Sequence, residues 1–269
     1  MAMNEAAQTV ELIMSEFGGT RQNAGGAEFG KSERLNPTLA SFRTIFPDAR
    51  VTLYTDQLGL VAGEGVETIL VDPPFSRSEP RYGWRAHDYY QAYGMLQSNA
   101  DVAIAMDSDM LIVADSFRVI LLFARRFGLA VPINPRLLLR IDGGIGVDST
   151  YDIAADATRG LGLTYNLTPM AFGTGNTAAR ALLDRYCALL RDKPGRGAVH
   201  LVEASHELGF QPYVLPPQWC VCSPRDLDSR HLWAEPVVLH VGHADVLPRW
   251  RRERARLRLR GAIDWMRGR

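Results

Sequence analysis

The sequence has little that would tie it to a polyanion, a membrane or a disulfide framework. Its 269 residues carry 30 Lys+Arg against 30 Asp+Glu, a formal net charge of zero. A surface without basic excess argues against a general nucleic-acid binder. No apolar run approaches the roughly 20 residues of a membrane span; the longest, such as Val119 to Ala124, are far shorter. Met1 to Gln8 shows neither the cationic start nor the apolar core of a signal peptide, and the expected location is the cytoplasm. Cys187, Cys220 and Cys222 are the only cysteines. They are too few and wrongly spaced for a disulfide framework or a four-ligand metal site, and read as small buried apolar residues. Lysine is nearly absent: with only Lys31 and Lys193 in the chain, few groups are available for Schiff-base chemistry.

What is present suits one substantial globular domain. Hydrophobic residues make up 46% of the chain and aromatics 9%, enough for a large core and unlike a disordered composition. Short β-rich apolar runs alternate with helical periodicity, which predicts an α/β fold with a mixed, mostly parallel sheet flanked by helices. Strands are expected at Val10 to Ser15, Val51 to Tyr54, Thr68 to Val71, Val102 to Met106, Leu129 to Ile133, Tyr213 to Leu215 and Val237 to Val241. Helices are expected over Ser32 to Phe46, around Ala86 to Leu96, and over Phe117 to Phe127 and Thr177 to Leu190. In the second of these, Ala86, Tyr89, Tyr90, Tyr93 and Leu96 form the apolar face, and Arg85, Asp88 and Gln91 lie nearer the other. Gly18 to Gly30 reads as a loop after the first strand, and Asp142-Gly143-Gly144 as a tight turn.

Asp107 and Asp109 terminate Val102 to Met106, the most apolar of the strand candidates. A pair of this spacing arises readily by chance, and Asp226/Asp228 is a second one. The first pair differs in context, because ligands of open α/β sheets bind at the carboxyl ends of the strands. Residues two apart in an extended segment face the same side, so both carboxylates can address one cation. Oxygen ligands suit Mg²⁺ or Mn²⁺, and such an ion neutralises a nucleoside diphosphate as it departs. The plain alternative is that both aspartates close a turn. Arg85 and Asp88, one helical turn apart, are either a surface ion pair or polar groups near a ligand. Asp142 and Gly143 are either a plain turn or a close approach to a ligand's hydroxyls.

The run Ala100 to Leu111, containing Asp107-Ser108-Asp109, resembles the metal-binding DxD segment of GT-A glycosyltransferases, particularly the glycogenin-like and galactosyltransferase-like family 8. Phe46 to Arg50 followed by Val51 to Asp56 is similar to the second-strand region of these enzymes. Phe172-Gly173-Thr174-Gly175 is similar to their FNxG segment, and Leu239-His240-Val241-Gly242 to the late strand whose His is the third metal ligand. The resemblance implies a metal-dependent transfer of sugar from a nucleotide diphosphate sugar to a hydroxyl-bearing acceptor, with retention. It makes Asp107, Asp109 and His240 the ligands of Mn²⁺ or Mg²⁺. It places Thr55 and Asp56 near the base, and Arg85, Asp88, Asp107, Ser108, Asp109, Gly143, Thr174 and His243 around the nucleotide and donor. Glu203 and Asp142 are the candidate catalytic carboxylates. The chain departs from the pattern where Gly173 replaces Asn, with Asn166 or Asn176 as substitutes, and where the late motif is shortened and lacks its lysine, with His243 or Arg249 in its place.

Two other readings share parts of this pattern: a sugar nucleotidyltransferase, through Gly18-Gly19-Thr20-Arg21, and a non-catalytic sugar-nucleotide-binding module. The charge balance also hides a partition. From Arg249 to Arg269 nine Arg face only Glu253 and Asp264, leaving the preceding body acidic. The expected organisation is a GT-A domain over 1–248 and a basic amphipathic helix over 249–269 that docks on the body, touches an anionic membrane surface or guides a phosphorylated ligand.

Overall fold

The computed structural model describes residues 9–18, 35–134 apart from 59, 61 and 80, 165–223 apart from 196, residue 227, and 235–255 apart from 243 and 244. Its centre is β4 (Val102–Ala105), four residues buried on both faces. Val102, Ile104 and Met106 enter one apolar cluster, whereas Ala103 and Ala105 enter the other, the period-2 alternation of a strand covered on two sides. β1 (Val10–Glu16), β2 (Arg50–Thr55) and β3 (Glu67–Leu70) extend the sheet on one side of β4, and β7 (Met170–Gly173), β6 (Leu129–Pro132) and β8 (Tyr213–Leu215) on the other. The order is β3-β2-β1-β4-β7-β6-β8, parallel except for the two pairings that β7 makes with β4 and β6. This is the mixed, mostly parallel sheet expected.

Helix α1 (Leu35–Ile45) and α3 (Ile120–Phe127) lie on one face, the latter preceded by a 3-10 turn at Asp115–Val119. On the other face lie α2 (Tyr82–Gln97), α4 (Thr177–Asp192) and α5 (Gly197–Leu208). Helix α5 was not among the helices expected from the sequence. Helix α2 corrects the simple two-faced expectation. It sits between the sheet and α4, so Arg85, His87 and Gln91 are buried along with Ala86 and Tyr90.

A second sheet of two strands lies apart from the seven. β5 (Met110–Ile112) pairs antiparallel with β9 (Val238–His240), matching Met110 with His240 and Ile112 with Val238. Beyond it residues 246–255 are helical across the expected boundary at 248. Val246 is buried with Val221 and Leu239, and Trp250 packs against them. The start of the basic segment therefore docks on the body, while 256–269 lie outside the described residues. No helix among the described residues is long and apolar enough to cross a membrane.

Gly173 has a packing role. A Cβ there would stand 2.6 Å from the Ala124 carbonyl oxygen of α3, a backbone atom that cannot rotate away. Gly173→Ala should lower stability by about 1–3 kcal/mol, the usual range for overpacking, read as a lower denaturant midpoint with an unchanged slope.

Candidate functional site

At the carboxyl edge of β4 the chain turns through Asp107-Ser108-Asp109 before entering β5, and several elements fix that turn. Thr38 of α1 is fully buried and its Oγ1 lies 2.6 Å from the carbonyl oxygens of both Ser108 and Met110, so its single proton is shared between them. Ser108 Oγ donates to a carboxylate oxygen of Glu16 at the end of β1. The pairing of β5 with β9 carries His240 alongside, and the amide of Val241 donates to the Asp109 carbonyl at 2.8 Å. Residues far apart in sequence thus meet through one short antiparallel ribbon.

His240 Nε2 lies 2.9 Å from Asp109 Oδ1 and 3.4 Å from Asp107 Oδ2. Ligands at about 2.0–2.2 Å from one octahedral cation stand about 3 Å apart at adjacent positions, so two carboxylates and an imidazole at these separations fit a single hard divalent ion. Their ligand atoms all fall within 4.8 Å of one another. Burial works against a charged imidazole, but the carboxylate of Asp109, helped by the Cys222 sulfur, outweighs it and holds His240 well above its ordinary pKa. An ion bound there replaces that proton, so its affinity rises with pH.

The other oxygen of Asp107 is tethered from α2. His87 Nε2 lies 2.6 Å from Asp107 Oδ1, and Gln91 Nε2 donates to the same oxygen at 3.0 Å. The far side of the His87 ring meets Ser15, with Nδ1 at 2.5 Å from its Oγ and 3.0 Å from its carbonyl. One imidazole therefore spans from β1 to the carboxylate and fixes which oxygen turns toward His240.

No protein-family model and no curated protein matches the chain. Solved structures do. The apo form of WbbM, a bifunctional glycosyltransferase, superposes with a TM-score of 0.54 at 11% identity, covering 89% of this chain and 46% of that one. An active-site mutant of LgtC superposes at 0.51 and 12% identity, covering 86% of each chain. The galactosyltransferase LgtC in complex with donor and acceptor sugar analogues does so at 0.50 and 12%, covering 88% of this chain and 87% of that one. The fold is GT-A. At these identities the likeness concerns the fold, and this chain spans less than half the length of WbbM.

Within the GT-A fold, the carboxyl edge gathers part of the residues expected from the sequence. Asp107, Ser108, Asp109 and His240 are together, and Thr55 and Asp56 end β2 on the same edge. Thr55 Oγ1 donates to the Glu16 carbonyl at 2.6 Å. Asp56 accepts from Gly18 N at 3.2 Å and Tyr82 Oη at 2.8 Å, with Arg77 at 3.4 Å. Burial and the bond to Asp56 push the Tyr82 hydroxyl well above its usual pKa, so it stays a donor.

Four expected residues are placed elsewhere. Because β7 runs against β4, Gly173 pairs with Val102 at the amino end. Thr174 follows it there, its Oγ1 donating to the Ala100 carbonyl at 2.7 Å, away from Asp107 and Asp109. Arg85 is a buried clamp. Its guanidinium donates to the carbonyls of Leu190 at 2.6 Å and Arg191 at 2.8 Å, meets Glu79 at 2.5 Å and lies over Phe75. Asp88 packs against Gly197 at the start of α5 and close to Tyr186. Glu203 pairs with Lys193 and lies 3.5 Å from His200 in the α4–α5 layer. Asp142, Gly143 and His243 lie outside the described residues.

Of the two asparagines offered in place of the FNxG Asn, Asn176 caps α4, accepting from the Ala179 amide at 2.9 Å. Asn166 instead precedes β7 at the site end, its side chain 3.9 Å from Cys222 Sγ. Thr38, His87, Ser15 and Glu16 were not singled out in the sequence, and Gln91 was placed only on the polar face of its helix. The only signal for His87 was its position in a helix leading into a DxD strand.

Proposed function

We propose that the chain is a metal-dependent glycosyltransferase that moves a hexosyl group from a nucleotide diphosphate sugar to a hydroxyl-bearing acceptor, with retention as the family 8 resemblance implies. The observation that carries this reading is the convergence of Asp107, Asp109 and His240 at the carboxyl edge of β4 in a GT-A fold. LgtC, which shares the fold, is a galactosyltransferase captured with donor and acceptor sugar analogues.

Asp107 Oδ2, Asp109 Oδ1 and His240 Nε2 would hold Mn²⁺ or Mg²⁺, the imidazole favouring Mn²⁺. When bound, the ion supplies the positive charge that a departing nucleoside diphosphate requires. The chain's own residues prepare the place. His87 and Gln91 fix the rotamer of Asp107, Thr38 pins the turn between the carboxylates, and Glu16 holds Ser108. Asp56 and Tyr82 close the β2 end of the edge, where the base and ribose would rest. Asn166, at the start of β7, is the candidate for the donor sugar.

A thermal-shift series with nucleoside diphosphate sugars, each with and without Mn²⁺, tests this. The cognate donor with Mn²⁺ at a hundredfold excess over its Kd should add about 2.7 kcal/mol to stability. If no sugar nucleotide stabilises the protein in either condition, the donor-binding reading is wrong.

A further inference from the structure

His240 has a second face. Its Nδ1 lies 3.6 Å from Cys222 Sγ, and Cys222 Sγ lies 3.3 Å from Cys220 Sγ. The three ligand atoms all fall within 4.8 Å of one another. The backbone explains the cluster. Val221 pairs with Leu239 of β9, its amide donating to the Val238 carbonyl at 3.0 Å and its carbonyl accepting from the His240 amide at 2.9 Å. Cys220 and Cys222 flank Val221 and so share one side of an extended segment. Asn166 reaches Cys222 Sγ from a third direction.

We propose that Cys220, Cys222 and His240 Nδ1 form a second cation site, fitted to a thiophilic divalent ion of the Zn²⁺ kind, and that it competes with the carboxylate site for the one imidazole. Tetrahedral zinc at about 2.3 Å from sulfur and 2.0–2.1 Å from nitrogen sets sulfurs about 3.8 Å apart and sulfur and nitrogen about 3.5 Å apart. The separations of 3.3 and 3.6 Å need only a small adjustment. Soft sulfur donors discriminate against Mg²⁺ and Mn²⁺, and the carboxylates favour them. Among the described residues the group offers three ligands, leaving the fourth tetrahedral position to water or a small ligand. A neutral imidazole has one lone pair in its ring plane. Coordination through Nδ1 leaves a proton on Nε2, which then donates to Asp109 and no longer serves a cation beside it. The competition rests on the carboxylate site proposed above; the thiol site does not.

Co²⁺, which takes zinc's geometry and reports thiolate ligands by an intense charge-transfer absorption, is the probe. The reduced 269-residue protein titrated with Co²⁺ alone should develop that band at one ion per chain, and one equivalent of Zn²⁺ should abolish it. Cys187 adds nothing to it, because burial pushes that thiol up to about 12 and it lies in α4. Cys220→Ser and Cys222→Ser should each raise the Co²⁺ concentration at half-development on the order of 100-fold, while Asp109→Asn keeps the band. Absence of the band in the wild type, which needs no variant to fold, overturns the proposal, as does a band that survives both serine substitutions. Saturating Mn²⁺, its binding followed separately by electron paramagnetic resonance, should shift the Co²⁺ midpoint upward at least about tenfold in the wild type and not in Asp109→Asn. Bound Mn²⁺ with no shift removes the competition. No bound Mn²⁺ indicts the carboxylate site and removes the competition with it, leaving the thiol site standing.

Discussion

Asp109→Asn should abolish Mn²⁺-dependent binding of the sugar nucleotide and reduce turnover by on the order of 100-fold or more, a loss of about 3 kcal/mol or greater in transition-state stabilisation. The substitution keeps the shape of the side chain and removes its negative charge. The Asp109 carboxylate is also the main influence raising the affinity of His240 for a proton, so its loss eases proton competition at the imidazole, a gain smaller than the loss of the proposed anionic ligand. The folded protein should suffer little: the Asp109 carbonyl, which receives the Val241 amide, is untouched. The comparison to make is the midpoint of thermal unfolding with and without Mn²⁺ and donor, for wild type and variant. An Asn variant that is stabilised by Mn²⁺ and donor as strongly as the wild type would show that the cation is held elsewhere.

Arg85→Ala should do the reverse, costing stability and sparing the site. In the folded chain the buried guanidinium binds two carbonyls at the end of α4, meets Glu79 and covers Phe75. Removing it leaves the last turn of α4 short of donors in a packed region and opens space beside an aromatic ring. Losses of this kind amount to about 2–4 kcal/mol. Denaturant unfolding should show the drop, while the donor's Kd measured below the unfolding transition stays within about twofold of wild type, as expected for a distant site. A large rise in that Kd with unchanged stability would restore Arg85 to the nucleotide.

These two residues also show where sequence reading succeeds and where it fails. β4 was legible because a strand covered on both faces must be apolar at every position, and its end was marked by two carboxylates. Arg85 was misjudged for a related reason. Helical periodicity assigns faces by hydrophobicity, and α2 is covered on two sides, so its polar residues point into the protein. His87 and Gln91 were passed over on the same ground, although they orient Asp107. Gly173 and Thr174 were placed by the order of motifs along the chain. Order says nothing of strand direction, and β7 runs antiparallel to β4, so the motif's end falls at the amino edge of β4 while Asn166 falls at the carboxyl edge.

His240 was accessible through the late-strand resemblance alone. What brings it to Asp109 is β5, three residues with no periodicity to detect, paired across more than a hundred positions. The cysteines illustrate a further limit. Their count and spacing argued against a four-ligand site, and all three are indeed buried. That two of them flank a residue paired to the His240 strand is a property of register, which a composition cannot reveal.

The β5–β9 ribbon joins only three residue pairs and lies outside the seven-stranded sheet. A ribbon that short, braced on β9 by the Val221–Leu239 bridge, is expected to open more readily than the sheet behind it, and opening would separate the imidazole from both carboxylates. The tightness with which the proposed site would retain a cation is therefore set as much by the opening and closing of six residues as by the chemistry of Asp107, Asp109 and His240. Substitutions on the apolar side of that ribbon, at Ile112 or Val238, would tune cation residence time without touching a ligand.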